Sequence, residues 1–213
     1  MSHERELHII LTDTGTMLTR AIRWCTKDPL NHASIAFDRE LQEVYSFGRK
    51  HPSNPLVGGL VREDMRGKLF SEASCAIYSC RVSEEVYRRI RRRVRAMYRR
   101  QDTYTYNFVG LFTLLLNIEW RRNRAYFCSQ FVAYLFESGG MPLVNKSSLM
   151  TTPGDIARAR LLHLEYEGLL QQYSGLQYAP LPPALPARRV RQSLRIRKLL
   201  ALPLTSLQKL LPG

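Results

Sequence analysis

The chain has 213 residues, a length that predicts one domain of ordinary size with some chain left over. Hydrophobic residues make up 45%, enough for a packed core, which excludes a chain disordered throughout. Lys and Arg outnumber Asp and Glu by 32 to 18, and the whole excess of +14 lies in residues 81–100 and 187–213, so basicity belongs to one segment and one tail.

In chain order, Leu7–Thr12 (LHIILT) reads as a buried strand, followed by a polar loop at Thr12–Thr16. Leu18, Ala21, Ile22 and Cys25 then recur at helical spacing, and Asp28-Pro29 ends that helix. Ala33–Phe37 and Glu43–Phe47 read as two strands of a hairpin. Residues 48–67, rich in Gly, Pro, Asn and charge, read as a long surface loop, and Cys75–Val82 as a further strand. Ser83 caps the next helix, with Glu84 and Glu85 at its positive end and Val86, Ile90, Val94 and Met97 as an apolar stripe under an Arg-covered face. Tyr104–Trp120 predicts a buried helix or helix pair, and Tyr126–Ser138 a helix that Gly139-Gly140 terminates. Thr152-Pro153-Gly154-Asp155 carries a helix start, and His163–Tyr173 fits either a strand or a helix. The domain is expected over 1–178, a Pro-rich linker over 179–187 and a basic, Leu-rich tail over 188–213.

The longest apolar run, Phe108–Leu116, has nine residues, against about 20 needed to cross a bilayer. The N-terminal MSHERELHIILTDTG has charges where a signal peptide needs apolar residues, so a cytoplasmic location is expected. Four Cys (25, 75, 80 and 128) at irregular spacing then predict free thiols. Cys75 and Cys80, an odd offset apart on a strand, should point to opposite faces and share no metal; no metal or organic cofactor is expected.

Two places can carry chemistry: Asn31-His32 at the start of a strand and Phe127-Cys128-Ser129-Gln130 at the start of a helix. A helix N-terminus offers unpaired N–H groups and a positive dipole end, which favour thiolate and can hold an oxyanion. A His that reaches the sulfur can take its proton and return it to a leaving group. Spacing alone is a weak signal and favours a core thiol and a strand-edge His bonded to backbone.

The strings NHASIAFD, YSFG and YFCSQFVAYLFESGG, in that order, resemble the permuted NlpC-like cysteine peptidases, in the YiiX/YycO-like branch, over residues 7–173. That superfamily is papain-like and includes lecithin retinol acyltransferase. The resemblance implies an α+β fold, with a small antiparallel sheet packed against helices and the nucleophile at a helix N-terminus. It makes Cys128 the nucleophile and His32 the general base. It places a polar or acidic orienting residue on the strand after the His strand, where Ser46 stands, with Glu43 as second choice. Asn31, Asp13, Thr14 and Tyr106 are the candidates for substrate contact, beside Thr12 and Thr16 in the same loop and Tyr104.

The implied activity is a cysteine hydrolase (amidase or peptidase) or acyltransferase. Peptide amide, isopeptide, cell-wall-fragment and lipid acyl bonds are the candidate substrates. The tail suits an anionic membrane surface and a peripheral location. The Arg-rich helix has few outward aromatics for base stacking, so nucleic acid is disfavoured as a partner. The alternative reading is a non-catalytic membrane- or protein-binding adaptor that uses helix 84–100 and the tail.

Overall fold

The apolar run Leu7–Leu11 has no polar residue except His8, and a strand of that kind must be covered on both faces. In the computed structural model it lies inside a six-stranded sheet, as part of β1 (Glu4–Asp13). The structure describes residues 4–13, 29–51 and 54–177, with side chains undescribed at 51, 54–56, 112 and 115. The expected helix after Thr16, Cys25, the Pro-rich linker and the basic tail lie outside the described residues. All of the described residues fall within one unit, Met1–Pro180.

The other strands are β2 (His32–Ala36), β3 (Val44–His51), β4 (Asn54–Glu63), β5 (Ser74–Ser83) and β8 (His163–Leu169). Their order is β4-β3-β2-β1-β5-β8, and every neighbouring pair is antiparallel. The fold is α+β. A separate two-residue parallel pair joins β6 (Thr105–Tyr106) to β7 (Ala125–Tyr126). The β2–β3 hairpin forms as expected, with Ile35 opposite Tyr45. Its connection is closed by Asp38, whose carboxylate accepts the amides of Gln42 (2.6 Å) and Glu43 (2.7 Å).

Each face of the sheet carries its own apolar cluster. On one, Leu7, Ile9, Leu11, Ala33, Ile35 and Cys80 pack beneath α1 (Glu84–Arg99) and α3 (Cys128–Gly139). On the other, Ile10, Ala36, Val44, Cys75 and Ile77 are covered by Met65, Phe70 and Leu170. Cys75 and Cys80 thus fall in different clusters, as their odd offset requires. Burial pushes both thiols up, Cys75 to about 12 with Glu167 adding to it, and Cys80 to about 11.

Helix α1 begins at Ser83, whose Oγ accepts the Val86 amide at 3.3 Å, and it buries Tyr87, Ile90, Val94 and Met97. Much of its cationic face is engaged within the molecule. Arg91 and Arg95 hold Glu43, Arg88 and Arg89 pair with Glu84 and Glu85, and Arg93 lies over the Tyr134 ring. Helix α3 packs Phe131, Val132, Leu135 and Phe136 inward and ends at Gly140, whose φ of 83° suits the left-handed cap. Helix α4 (Pro153–Ala157) has the reciprocal cap read from its sequence: Thr152 Oγ1 accepts from the Asp155 amide, and Asp155 Oδ2 accepts from the Thr152 amide.

Two expectations fail. Residues 48–67 are not a surface loop; β3 runs to His51, and β4 supplies ten further strand residues. The glycines that suggested a loop are there for close approach. A methyl group on Gly58 would stand 2.7 Å from Cβ of Tyr106, and one on Gly59 2.6 Å from the Tyr104 carbonyl oxygen. Gly58→Ala is therefore expected to destabilise the protein by about 1–3 kcal/mol through overpacking, measured by denaturant unfolding. Tyr104–Trp120 is also neither one buried helix nor a helix pair. It holds β6 and the short α2 (Phe108–Leu115), beyond which Leu116, Ile118 and Trp120 are exposed. Segment 163–173 resolves to β8 and a following turn.

Among the described residues, no helix is long and apolar enough to cross a membrane.

Candidate active site

Cys128 is the first residue of α3, a twelve-residue helix whose first-turn N–H groups have no acceptor within the helix. Gln130 ties down the entry, with Oε1 accepting the Phe127 amide at 3.2 Å. The parallel pairing of β6 with β7 sets Tyr106 opposite Tyr126, two residues before the cysteine. Ser129 Oγ donates to the Thr151 carbonyl at 2.7 Å and locks the first turn to the segment leading into α4. The thiol is 3% exposed and lies 3.9 Å from the Asn31 carbonyl oxygen.

His32 opens β2 opposite Thr12. Its Nε2 sits 2.8 Å from Oε1 of Glu63, the last residue of β4, and the other oxygen, Oε2, accepts from Ser34 Oγ at 2.5 Å. Both partners are largely withdrawn from solvent, with side chains 12% and 6% exposed. With Nε2 held by the carboxylate, Nδ1 is the ring nitrogen left for Cys128.

The electrostatics reflect this layout. Burial alone would push the His32 pKa down. The Glu63 carboxylate and the Cys128 sulfur outweigh it and raise the value to about 10. Burial would push Glu63 up, yet His32, Ser34 and Ser46 bring it below the usual carboxylate range. Burial likewise opposes ionisation of Cys128, but the imidazole, joined by the Ala33 and Ser129 amides, brings its pKa below the ordinary thiol value. Tyr106 is driven well above its ordinary value by burial and by the adjacent sulfur, so its phenol stays protonated beside a sulfur that ionises. Of the three described cysteines, Cys128 alone moves toward thiolate; Cys75 and Cys80 move the other way.

The structure therefore brings together Cys128, His32, Asn31 and Tyr106, four of the residues that the sequence singles out. Asn31 Nδ2 reaches Oδ1 of Asp13 at 3.4 Å, so Asp13 lies one residue further from the sulfur. Thr14 lies outside the described residues. The carboxylate on His32 is Glu63, not Ser46 and not Glu43. Ser46 is buried beside Glu63 and helps to keep it ionised, but its Oγ has no hydrogen bond of normal geometry and does not bond the imidazole. Glu43 is taken by Arg91 (2.5 Å) and Arg95 (3.1 Å) of α1. Sequence reasoning misses Glu63 because the segment before it reads as a loop. The available signal is Leu60-Val61-Arg62-Glu63, an apolar pair running into a carboxylate after the glycine pair.

Two open clefts run beside α1, one lined by Glu43, Arg62, Arg91 and Arg95 and one by Arg5, Tyr87, Arg88 and Arg92. Neither reaches Cys128.

No protein-family model matches the chain, and a search of curated proteins returned no match.

Proposed function

We propose that the protein is a thiol hydrolase or acyltransferase of the permuted NlpC, papain-like kind, working through an acyl-enzyme on Cys128. The observation that carries the reading is geometric: Cys128 opens a twelve-residue helix, 3.9 Å from the Asn31 carbonyl, and the neighbouring His32 has its Nε2 2.8 Å from the Glu63 carboxylate. This setting favours thiolate at Cys128, whereas burial pushes the Cys75 and Cys80 thiols the other way.

In this mechanism Glu63 positions the His32 ring and stabilises its cationic form, and His32 holds Cys128 as thiolate. The sulfur attacks the carbonyl carbon of an amide or ester. The oxyanion is stabilised by first-turn N–H groups of α3, with the Tyr106 hydroxyl as a further donor. Collapse passes the imidazolium proton to the leaving amine or alcohol and leaves an acyl group on sulfur. His32 then takes a proton from water or from an acceptor alcohol or amine, which releases the acyl group. The acyl group passes from substrate to sulfur and then to the water or acceptor, and the thiolate and imidazolium are regenerated at the end of the cycle.

Peptide amide, isopeptide and lipid acyl substrates all fit this chemistry. Leu116, Ile118 and Trp120 are exposed on the strip leading to β7 and the Cys helix, and Arg121, Arg122 and Arg124 come directly after them. An apolar strip edged with cations supports a substrate presented at a membrane surface. The adaptor reading draws less support, because Arg88, Arg89, Arg91 and Arg95 are already engaged with Glu84, Glu85 and Glu43.

The test is intact-mass spectrometry after mixing the protein with p-nitrophenyl acyl esters of different chain length. The expected result is one acyl group added, mapped to Cys128 and lost in His32→Ala. Acylation spread over several cysteines, or equal in His32→Ala, would remove the basis for the reading.

A further inference from the structure

His8 is the one polar residue in the apolar run of β1, and it is 2% exposed. It points away from α1 and α3, on the face that carries Ile10 and Ile77. Neither ring nitrogen has a hydrogen-bond partner of normal geometry, although Nε2 lies 3.5 Å from Oε2 of Glu165. A buried imidazole left unsatisfied in this way calls for an explanation.

We propose that Glu6, His8 and Glu165 form a metal site for a divalent cation of the Zn2+ type, separate from the Cys128 centre and independent of the activity assigned to it. One ligand atom from each of the three residues lies within 4.8 Å of the others. Two ligands on a tetrahedral zinc with bonds of about 2.0–2.1 Å stand about 3.4 Å apart. The 3.5 Å separation of His8 and Glu165 is long for a hydrogen bond and close to that figure.

The fold aims the third residue through a break in the ladder. The β5–β8 ladder pairs Ile77 with Tyr166 and Tyr78 with Leu164, so Glu165 is the extra residue of a bulge. Bulges redirect a side chain out of the regular alternation. Glu6 and His8 are two apart on β1 and share a face. Glu6 is the most exposed of the three and can swing to close the set.

An open cleft lined by Glu4, Arg5, Glu6, His8, Asp38, Arg39 and Arg81 borders two of the three residues. Arg81 Nε lies 3.6 Å from Oε1 of Glu6, and a carboxylate can keep that contact while a metal takes its other oxygen. One imidazole and two carboxylates suit Zn2+ and leave a fourth position for water.

The experiment uses the full chain without an affinity tag, as Cys128→Ser so that the thiolate cannot act as ligand. Equilibrium dialysis against Zn2+ gives the stoichiometry, and visible absorption of the Co2+ form reports the coordination. The expected result is one ion per chain, bound at least tenfold more weakly in Glu165→Gln and in Glu6→Gln. Both variants should unfold at the parent midpoint when metal-free, and only the parent should gain thermal stability with Zn2+. Substoichiometric binding, or binding unchanged in both variants, would overturn the proposal.

Discussion

Replacing Glu63 with Gln is expected to cut turnover at neutral pH by about 10²- to 10⁴-fold, as loss of the orienting carboxylate does in related constellations. Gln keeps the size and one hydrogen bond to His32 but removes the charge. Burial then dominates at His32, and its pKa falls from about 10 toward or below the ordinary value near 6.5. Cys128 loses its cationic neighbour and reverts toward the behaviour of Cys75 and Cys80. The pH profile distinguishes this from a packing defect, since the limb set by the thiolate moves to higher pH. Glu63 is depressed in the folded state, so its contribution is present above its ordinary pKa and is lost as pH falls through the folded value. His32 is raised, so its contribution is present below about 6.5 and is lost as pH rises through about 10. In Glu63→Gln the acid limb from this residue disappears and the alkaline limb moves down. Denaturant unfolding at pH 7 should show a loss of about 1–3 kcal/mol, limited because the imidazole can shed its proton.

Cys128→Ala is expected to abolish acyl-enzyme formation and lower turnover by about 10⁴-fold or more, with the fold retained. The side chain is buried among Phe127, Phe131 and Tyr106, but alanine removes a single sulfur, and the His32–Glu63 pair survives. Circular dichroism and the unfolding midpoint should stay close to the parent values while activity disappears. An adaptor predicts the opposite: retained function after Cys128→Ala, and loss when residues 187–213 are removed.

How much of the molecule is legible in the sequence depends on the kind of signal each residue carries. The strand at Leu7–Thr12, the hairpin of Ala33–Phe37 and Glu43–Phe47, the capped helix after Ser83 and the helix expected over Tyr126–Ser138 all carry local signals, in apolar period or cap chemistry, and each forms within one or two residues of the expected bounds or inside a longer element. Strand β4 carries a contrary one. Its Pro and two Gly argue for a loop, and the reason for the two Gly, the close passage of Tyr104 and Tyr106, is a contact between residues about 45 positions apart. Glu63 is hidden by the same error. A third residue sought on the strand next to His32 falls on β3, whereas the carboxylate reaches across from the strand beyond it. Glu43 looks available because it is acidic and nearby. That it answers two arginines of α1 is a tertiary fact that no local pattern carries. The exposure of Leu116, Ile118 and Trp120 also runs against hydropathy, which reads every apolar run as buried.

An imidazolium–thiolate pair at His32 and Cys128, held by Glu63, is read out by the rate of Cys128 alkylation by iodoacetamide against pH, with the other three cysteines replaced, in the parent and in His32→Ala. The ion pair predicts a midpoint well below the ordinary thiol value of about 8.5 in the parent, and a clear upward shift in His32→Ala. A midpoint at or above about 8.5 in the parent, or one that His32→Ala leaves in place, would contradict it.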